Sequence, residues 1–257
     1  MNRIAAVFEH CRTAERAALT LYATVGYPTL ADSIEALKAM IAAGADMIEL
    51  GVPFSDPMAD GPVIQAAGQE ALRQGVTLGD ILSVAVAIRK ESSVPLILFS
   101  YYNVLLRYGL EQLARDAAAA GIDGILVVDL PLEEQKELVQ ALEPAGLALI
   151  QLIAPTTPPD RAERILRHAS GFVYYITVKG VTGEQSVFPA DLAGQLQRLR
   201  RQSPVPVVAG FGIATPEQAK MIAGHADGIV IGSAVVRRQK EPEKLREFVA
   251  SMASALR

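Results

Sequence analysis

The stretch Gly124-Ile-Leu-Val-Val-Asp-Leu130 indicates the fold class, because its apolar residues are continuous instead of alternating with polar ones. Such a run is typical of a parallel strand that is covered on both faces. Similar short runs recur before and after it along the chain. Together they predict eight strands, at residues 18–24, 46–50, 95–100, 124–130, 147–153, 172–178, 205–210 and 228–232.

Helical patterns fill the intervals between these strands. Asp32 is predicted to cap one helix, and Gly44 to end it. Thr215 is predicted to cap another helix, with Gln218 completing a capping box three residues later. Eight strands that alternate with helices, without a break in composition, predict a single (β/α)8 barrel domain over residues 1–257.

An open, doubly wound sheet is the alternative fold. It usually carries a Gly-x-Gly-x-x-Gly motif after its first strand. The corresponding residues here, 24–28, read Thr-Val-Gly-Tyr-Pro and lack that motif. The barrel is therefore favoured, and the 257 residues of the chain match the roughly 250 residues typical of that fold.

Composition and charge exclude several classes of function. The chain has 24 basic and 28 acidic residues, a formal net charge of −4, and no cluster of basic residues suited to nucleic acid. Its one cysteine, Cys11, cannot form an internal disulfide. No apolar run reaches the roughly 18 residues of a membrane span, and the N-terminal residues do not resemble a signal peptide. These features predict a cytoplasmic protein.

The segment after the second strand contains the most acidic residues of any strand end. Glu49 lies inside an apolar run, where burial would raise its pKa toward the range of a general acid or base. A structural Glu that accepts hydrogen bonds from loop amides is the alternative. Asp60 follows in a loop stiffened by prolines, which can bring it back over the barrel mouth. Asp56, between them, is as well explained as a loop cap as by catalysis.

Glycine-rich segments follow the sixth, seventh and eighth strands. They are Gly-Val-Thr-Gly at 180–183, Gly-Phe-Gly at 210–212 and Gly-Ser at 232–233. In barrels of this kind, the loops after the last two strands and a helix N-terminus often bind phosphate through backbone N–H groups. Glycines also form ordinary turns, so each segment alone is weak support. Together they predict a phosphate-binding site.

The sequence offers little for metal or Schiff-base chemistry. The three histidines, His10, His168 and His225, fall in helical or connecting segments, so no metal site is predicted. Lys179 near the end of the sixth strand is a candidate for a Schiff-base aldolase. Strand alternation places Lys179 on the same face as Tyr175, opposite the face of Tyr174, and this opposes the aldolase alternative.

The 17 residues from Glu49 to Gln65, Glu-Leu-Gly-Val-Pro-Phe-Ser-Asp-Pro-Met-Ala-Asp-Gly-Pro-Val-Ile-Gln, closely resemble the signature of the tryptophan synthase alpha chain family. Residues 180–183 and Gly-Phe-Gly-Ile at 210–213 extend the resemblance. The resemblance implies a (β/α)8 barrel that cleaves indole-3-glycerol phosphate to indole and glyceraldehyde 3-phosphate. It also implies an α2β2 complex with a beta chain. The pyridoxal phosphate of that complex belongs to the beta chain, so no cofactor is expected in this chain.

The resemblance also implies a set of site residues. The catalytic pair is Glu49, as proton shuttle, and Asp60, as acceptor of the indole N–H. Contacts to the substrate are implied for Tyr22, Phe99, Leu126, Ile153, Tyr174 and Thr182. Contacts to the phosphate are implied for Gly183, Phe211, Gly212, Gly232 and Ser233.

Three residues depart from the commoner pattern of that family. Tyr27 stands where Asp is frequent, Tyr22 has a hydroxyl where Phe is frequent, and Lys179 adds a charge before the 180–183 loop. None of them replaces the implied acid or base. They bear on substrate gating and on the fit to a beta chain.

Two other functions remain open from the sequence. One is a stand-alone lyase that releases indole without a beta chain. The other is a binding and activating subunit with little activity of its own, which would dock through loop residues such as Pro53, Phe54 and Asp56. Glu49 and Asp60 favour catalysis. An assay of indole release with and without a beta chain distinguishes the three.

Overall fold

A computed structural model describes residues 2–176, 191–210 and 212–257. The strands in these ranges are β1 (Ala18–Thr24), β2 (Met47–Gly51), β3 (Leu96–Ser100), β4 (Gly124–Val127), β5 (Ala148–Ile153), β6 (Val173–Ile176), β7 (Val207–Gly210) and β8 (Gly228–Ile231). The α-helices are α1 (Arg3–Thr13), α2 (Leu30–Ala42), α3 (Pro62–Arg73), α4 (Leu78–Arg89), α5 (Tyr102–Tyr108), α6 (Leu110–Ala120), α7 (Lys136–Leu142), α8 (Pro159–Arg167), α9 (Leu192–Gln202), α10 (Pro216–Ala223), α11 (Ser233–Val236) and α12 (Pro242–Ala255). Short 3-10 helices cover Leu132–Glu134 and Glu143–Ala145.

The strands form a closed parallel barrel in sequence order, with β8 paired to β1. This confirms the predicted (β/α)8 fold. The predicted eight strands are all present, although β4 ends at Val127 and not at residue 130. Continuous apolar runs were the correct signal because each strand is covered by barrel interior on one face and by helices on the other.

Alternation along the strands separates two apolar layers. One layer fills the barrel and includes Tyr22, Phe99, Leu126 and Tyr174. The other lies between the strands and the surrounding helices. Helix α1 covers the N-terminal end of the barrel, where Phe8 packs against Phe172 with ring centroids 6.0 Å apart. Since that end is covered, chemistry is expected at the opposite end, where the βα loops meet.

Helix caps agree with the sequence in one case and correct it in another. Thr215 and Gln218 form the predicted capping box at the start of α10. The prediction for α2 was wrong, because Thr29 is the cap and its hydroxyl accepts the backbone N–H of Asp32, which lies inside the helix. Thr29 and Asp32 are both good capping residues three positions apart, and the course of the preceding loop selects the first.

A repeated polar contact ties the strands together at the covered end of the barrel. A side chain shortly before an even-numbered strand accepts the backbone N–H of the first or second residue of the preceding odd-numbered strand. Asp123, for example, accepts the N–H of Leu96 at 2.9 Å. The four pairs are Asp46 with Leu19, Asp123 with Leu96, Ser170 with Leu149, and Asp227 with Val207. The three aspartates also pair with arginines, so the buried end of the sheet has neutralised charges.

Among the described residues, no single helix is both long and apolar enough to cross a membrane. Helices α3 and α4 meet the length and composition test only as a pair, and that pair is bent by 101°.

Candidate active site

Glu49 lies inside the barrel near its C-terminal end. Its β2 neighbours Ile48 and Leu50 pack toward the helices, so alternation turns Glu49 inward, beside Tyr22 of β1 and Ile97 of β3. Glu49 is 1% exposed, and neither carboxylate oxygen has a hydrogen-bond partner among the described residues. Among the described residues, no loop amide donates a hydrogen bond to Glu49, so the alternative of a purely structural Glu is not supported.

Burial raises the pKa of Glu49 from 4.5 to about 8. Desolvation of the carboxylate is the cause of this shift, and no opposite charge offsets it. A carboxyl group with this pKa holds its proton at neutral pH and can release it to a bound substrate. Glu49 can therefore act as a general acid and, once ionised, as a base.

Asp60 is placed over the mouth by the loop between β2 and α3. The Gln65 side chain donates to the Asp60 carbonyl at 2.8 Å, and the Ala59 N–H donates to the Tyr101 hydroxyl at 3.1 Å. Asp60 is 6% exposed, which is more buried than expected for a residue in a loop. Asp56 is exposed and accepts a hydrogen bond from Ser55, as a loop cap does.

Burial also raises the pKa of Asp60, from 3.8 to about 6, while hydrogen bonding with Tyr101 acts in the opposite direction. Near pH 7, Asp60 is thus mainly ionised and Glu49 mainly protonated. Two carboxyl groups with separated pKa values provide one proton donor and one anion in the same barrel mouth.

Tyr22 and Tyr174 reach into the mouth over glycines of the neighbouring strands. A Cβ atom on Gly51 would lie 2.1 Å from the Tyr22 hydroxyl oxygen, and one on Gly210 would lie 2.1 Å from that of Tyr174. The register is the same in both cases, because the glycine pairs with the residue two positions after the tyrosine. Each glycine therefore makes room for a phenol. Burial raises the pKa of both tyrosines, and the charge of Glu49 adds to the rise in each case.

The predicted apolar pocket is partly corrected. Phe99 packs edge-on against Tyr22 with ring centroids 5.1 Å apart, and Leu126 lies in the same interior layer. Ile153 does not, because it packs in the layer that faces the helices. Leu152 takes the interior position and pairs with Tyr174. The strand was predicted correctly, but the inward-facing position was assigned to Ile153 when it belongs to the neighbouring Leu152.

The predicted phosphate-binding residues are only partly within the described chain. Gly232 ends β8 beside Tyr22 and Ile64, which places it at the same mouth as the carboxylates. Ser233 begins α11, and Gly212 has a left-handed φ of 81°. Thr182, Gly183 and Phe211 lie outside the described residues, as does the rival nucleophile Lys179.

Tyr101 is a site residue that the sequence analysis missed. It follows β3 directly, is 2% exposed, and stacks on Phe54 with ring centroids 4.8 Å apart. Its hydroxyl accepts the Ala59 N–H and bonds with Asp60. Its position at a strand end was a usable signal. No group of three or more His, Cys, Asp or Glu residues suited to a metal ion occurs in the part of the chain that is described.

Comparisons with known proteins agree with this geometry. The family model described as tryptophan synthase alpha chain matches residues 8–256. The chain belongs to the tryptophan synthase alpha chain family. The reaction of this family is the cleavage of indole-3-glycerol phosphate, a carbon–carbon lyase reaction in tryptophan biosynthesis.

Individual relatives cover essentially the whole chain. The tryptophan synthase alpha chain of Geobacter sulfurreducens is 46% identical, over 100% of this chain and 98% of the relative. The structure of Mycobacterium tuberculosis tryptophan synthase is 38% identical, with a TM-score of 0.94 over 100% of this chain and 98% of the other. The tryptophan synthase subunit alpha of Legionella pneumophila is 35% identical, with a TM-score of 0.91 over 100% and 98%. The resemblance inferred from the Glu49 to Gln65 signature is thereby confirmed.

Proposed function

We propose that Glu49 and Asp60 carry out the cleavage of indole-3-glycerol phosphate in this chain. The observation that supports this assignment is their pair of unequal pKa values, about 8 for Glu49 and about 6 for Asp60. The reaction needs a proton at indole C3 and an anion near the ring nitrogen, where positive charge develops. At neutral pH these two residues supply both.

The proton returns to Glu49 within one turnover. Protonated Glu49 transfers its proton to indole C3, and the resulting carboxylate removes the proton of the hydroxyl next to the bond that breaks. The electrons of the O–H bond form the aldehyde of glyceraldehyde 3-phosphate, and those of the broken carbon–carbon bond restore the indole ring. Asp60 accepts the indole N–H throughout. Burial of Glu49 serves this cycle because it keeps the acid and base forms close in free energy.

The remaining site residues bind the substrate in this proposal. Tyr22, Phe99, Leu126 and Tyr174 contact the indole ring, together with Leu152 in place of Ile153. The phosphate binds to backbone N–H groups and the hydroxyl near Gly212, Gly232 and Ser233. Thr182, Gly183 and Phe211 are proposed to complete the site from outside the described residues.

We propose a beta chain as the partner, in an α2β2 complex whose pyridoxal phosphate is bound by the beta chain. The loop after β2 and helix α5 after β3 offer a surface for it, because Met58 is 75% exposed and Leu106 is 50% exposed. Asp56 is exposed on the same β2 loop, whereas Pro53 is buried and contributes through the shape of the loop. The same proposal treats residues 1–257 as one domain in the cytoplasm. The Gln239 side chain donates to the Thr24 carbonyl and thereby joins the segment after β8 to the end of β1.

A steady-state assay of indole release tests the proposal. Wild type, Glu49→Gln and Asp60→Asn are compared with and without a beta chain. We expect each variant to lose about 10²- to 10⁴-fold in kcat, because each removes one general acid–base or electrostatic group. Turnover by Glu49→Gln within tenfold of wild type would contradict the assignment. Equal activity with and without every beta chain tested, and no complex in sedimentation, would favour a stand-alone lyase.

A further inference from the structure

A small cavity lies beside Asp60 at the barrel mouth, bounded by the ends of β1 and β2 and the loop that follows β2. Tyr22 and Thr24 of β1 line one side of it, and Asp60 and Gln65 line another. Its volume of about 10 Å³ is close to the space that a single water molecule needs. It is far too small for a substrate, and two of its lining residues, Tyr22 and Asp60, also border the site proposed for the indole ring.

Two polar atoms that line this cavity have no partner among the described residues. They are the Thr24 hydroxyl oxygen and Oδ1 of Asp60, and both are buried. Buried polar atoms in folded proteins are almost always satisfied, by protein groups or by ordered water. A water molecule in the cavity can donate one hydrogen bond to each oxygen. The cavity therefore has the size and the polar lining of a water site.

The Tyr22 hydroxyl supplies the third group. The hydroxyl lies directly over Gly51, because a Cβ atom added to that glycine would be only 2.1 Å from the hydroxyl oxygen. The absence of a side chain at Gly51 therefore fixes the position of the phenol beside β2. After burial, the charge of Asp60 is the largest cause that raises the pKa of Tyr22, while hydrogen bonding with the neighbouring Thr24 acts in the opposite direction. The phenol thus stays protonated, close to Asp60, and can donate a hydrogen bond.

We propose that one water molecule binds in this cavity to Tyr22, Thr24 and Asp60, and that Tyr22 is thereby a positioning residue for Asp60. The water accepts a hydrogen bond from the Tyr22 hydroxyl and donates to Thr24 Oγ1 and Asp60 Oδ1. One carboxylate oxygen is fixed in this way, and the other, which bonds with Tyr101, has a second lone pair for the indole N–H. The proposal rests on the catalytic role proposed above for Asp60.

The Tyr22→Phe variant tests the hydroxyl while keeping the ring against Phe99. We expect kcat to fall about tenfold with a smaller change in KM, because the water that holds the Asp60 carboxylate loses one of its hydrogen bonds. We also expect the acidic limb of the pH profile of kcat/KM to move to higher pH, because the ionised form of Asp60 loses support. Thr24→Val removes the other hydroxyl at constant shape and is expected to act in the same direction.

Tyr175→Phe is the matched control. It removes the same atom from the opposite face of β6, where the Tyr175 hydroxyl bonds with Gln195 outside the barrel. This control is expected to leave kcat and the pH profile unchanged. If Tyr22 served only as a wall of the indole pocket, Tyr22→Phe would leave them unchanged as well, and that result would overturn the proposal.

A double-mutant cycle separates this proposal from the assignment of Asp60. In the Asp60→Asn background, Tyr22→Phe is expected to have little further effect, because the group that it positions is gone. Full activity of Asp60→Asn would refute the catalytic role itself. A low activity of Asp60→Asn combined with additive effects of the two changes would refute only the positioning role. A high-resolution crystal structure of the wild type without electron density for a water in the cavity would also refute it.

Discussion

Replacing Glu49 by Gln is expected to stabilise the fold while it abolishes activity. The wild-type carboxyl group is buried without a hydrogen-bond partner among the described residues, and its folded-state pKa is about 8. In the unfolded chain the same group has a pKa of about 4.3. Between these values the folded state keeps a proton that the unfolded state has released. The contribution of Glu49 to stability is therefore full at low pH and decreases as pH rises toward 8.

The magnitude follows from the difference between the two pKa values. Each unit of pKa difference corresponds to about 1.4 kcal/mol of differential interaction between the two protonation states. By pH 7, the wild type has lost roughly 3 to 4 kcal/mol relative to its stability at low pH, and about 5 kcal/mol above pH 8. Glutamine has nearly the same shape and does not titrate, so this loss is absent in the variant.

Urea unfolding at pH 5, 7 and 8.5 measures the effect. The quantity of interest is the free energy of unfolding of Glu49→Gln minus that of the wild type, because other titrating groups cancel in this difference. We expect the difference to grow by a few kcal/mol from pH 5 to pH 8.5. Asp56→Asn, at an exposed loop position, is the control and is expected to show no such growth. A difference for Glu49→Gln that stays constant over this range would refute the pKa argument.

Three other results are expected. The pH profile of kcat/KM should be bell-shaped, falling below pH 6 as Asp60 takes up a proton and above pH 8 as Glu49 loses one; a flat profile from pH 5 to 9 would contradict both roles. Asp123→Asn should lower the free energy of unfolding by about 3 kcal/mol without changing kcat, because the half-buried Arg89 loses its buried charged partner, whereas Asp191→Asn at an exposed ion pair should change it little. Lys179→Ala should keep most of the activity, and borohydride with substrate should trap no adduct; a trapped adduct at Lys179 would favour a Schiff-base aldolase.

The sequence predicted the barrel because its signal is local and repeated. Each strand is a short apolar run, and each run is explained by burial on two faces. The boundaries were less secure, because pairing between strands determines them. The predicted fourth strand, for example, ran to residue 130, but β4 ends at Val127. Likewise, the cap of α2 is Thr29 because the preceding loop brings that residue, and not Asp32, to the start of the helix.

The candidate site was predicted to a similar extent. An acid within an apolar run predicted a buried Glu49, since a charged side chain in such a run has no route to solvent. Ile153 was assigned to the pocket by strand position alone, yet it faces the helices, because a shift of one residue moves a side chain to the other face. Tyr101 gave little signal by itself. It becomes a site residue only where the loop after β2 folds back over the end of β3.

The sequence by itself determined the fold class, the burial of Glu49 and the family, because these depend on local apolar patterns and on a contiguous signature. Tertiary structure alone decided the burial of Asp60, the contacts of Tyr101, and the fit of Tyr22 over Gly51 and Tyr174 over Gly210. These features arise from contacts between different strands and loops. Their physical origin is the closure of the barrel, which brings residues distant in sequence into one desolvated space and thereby sets the pKa values on which catalysis depends.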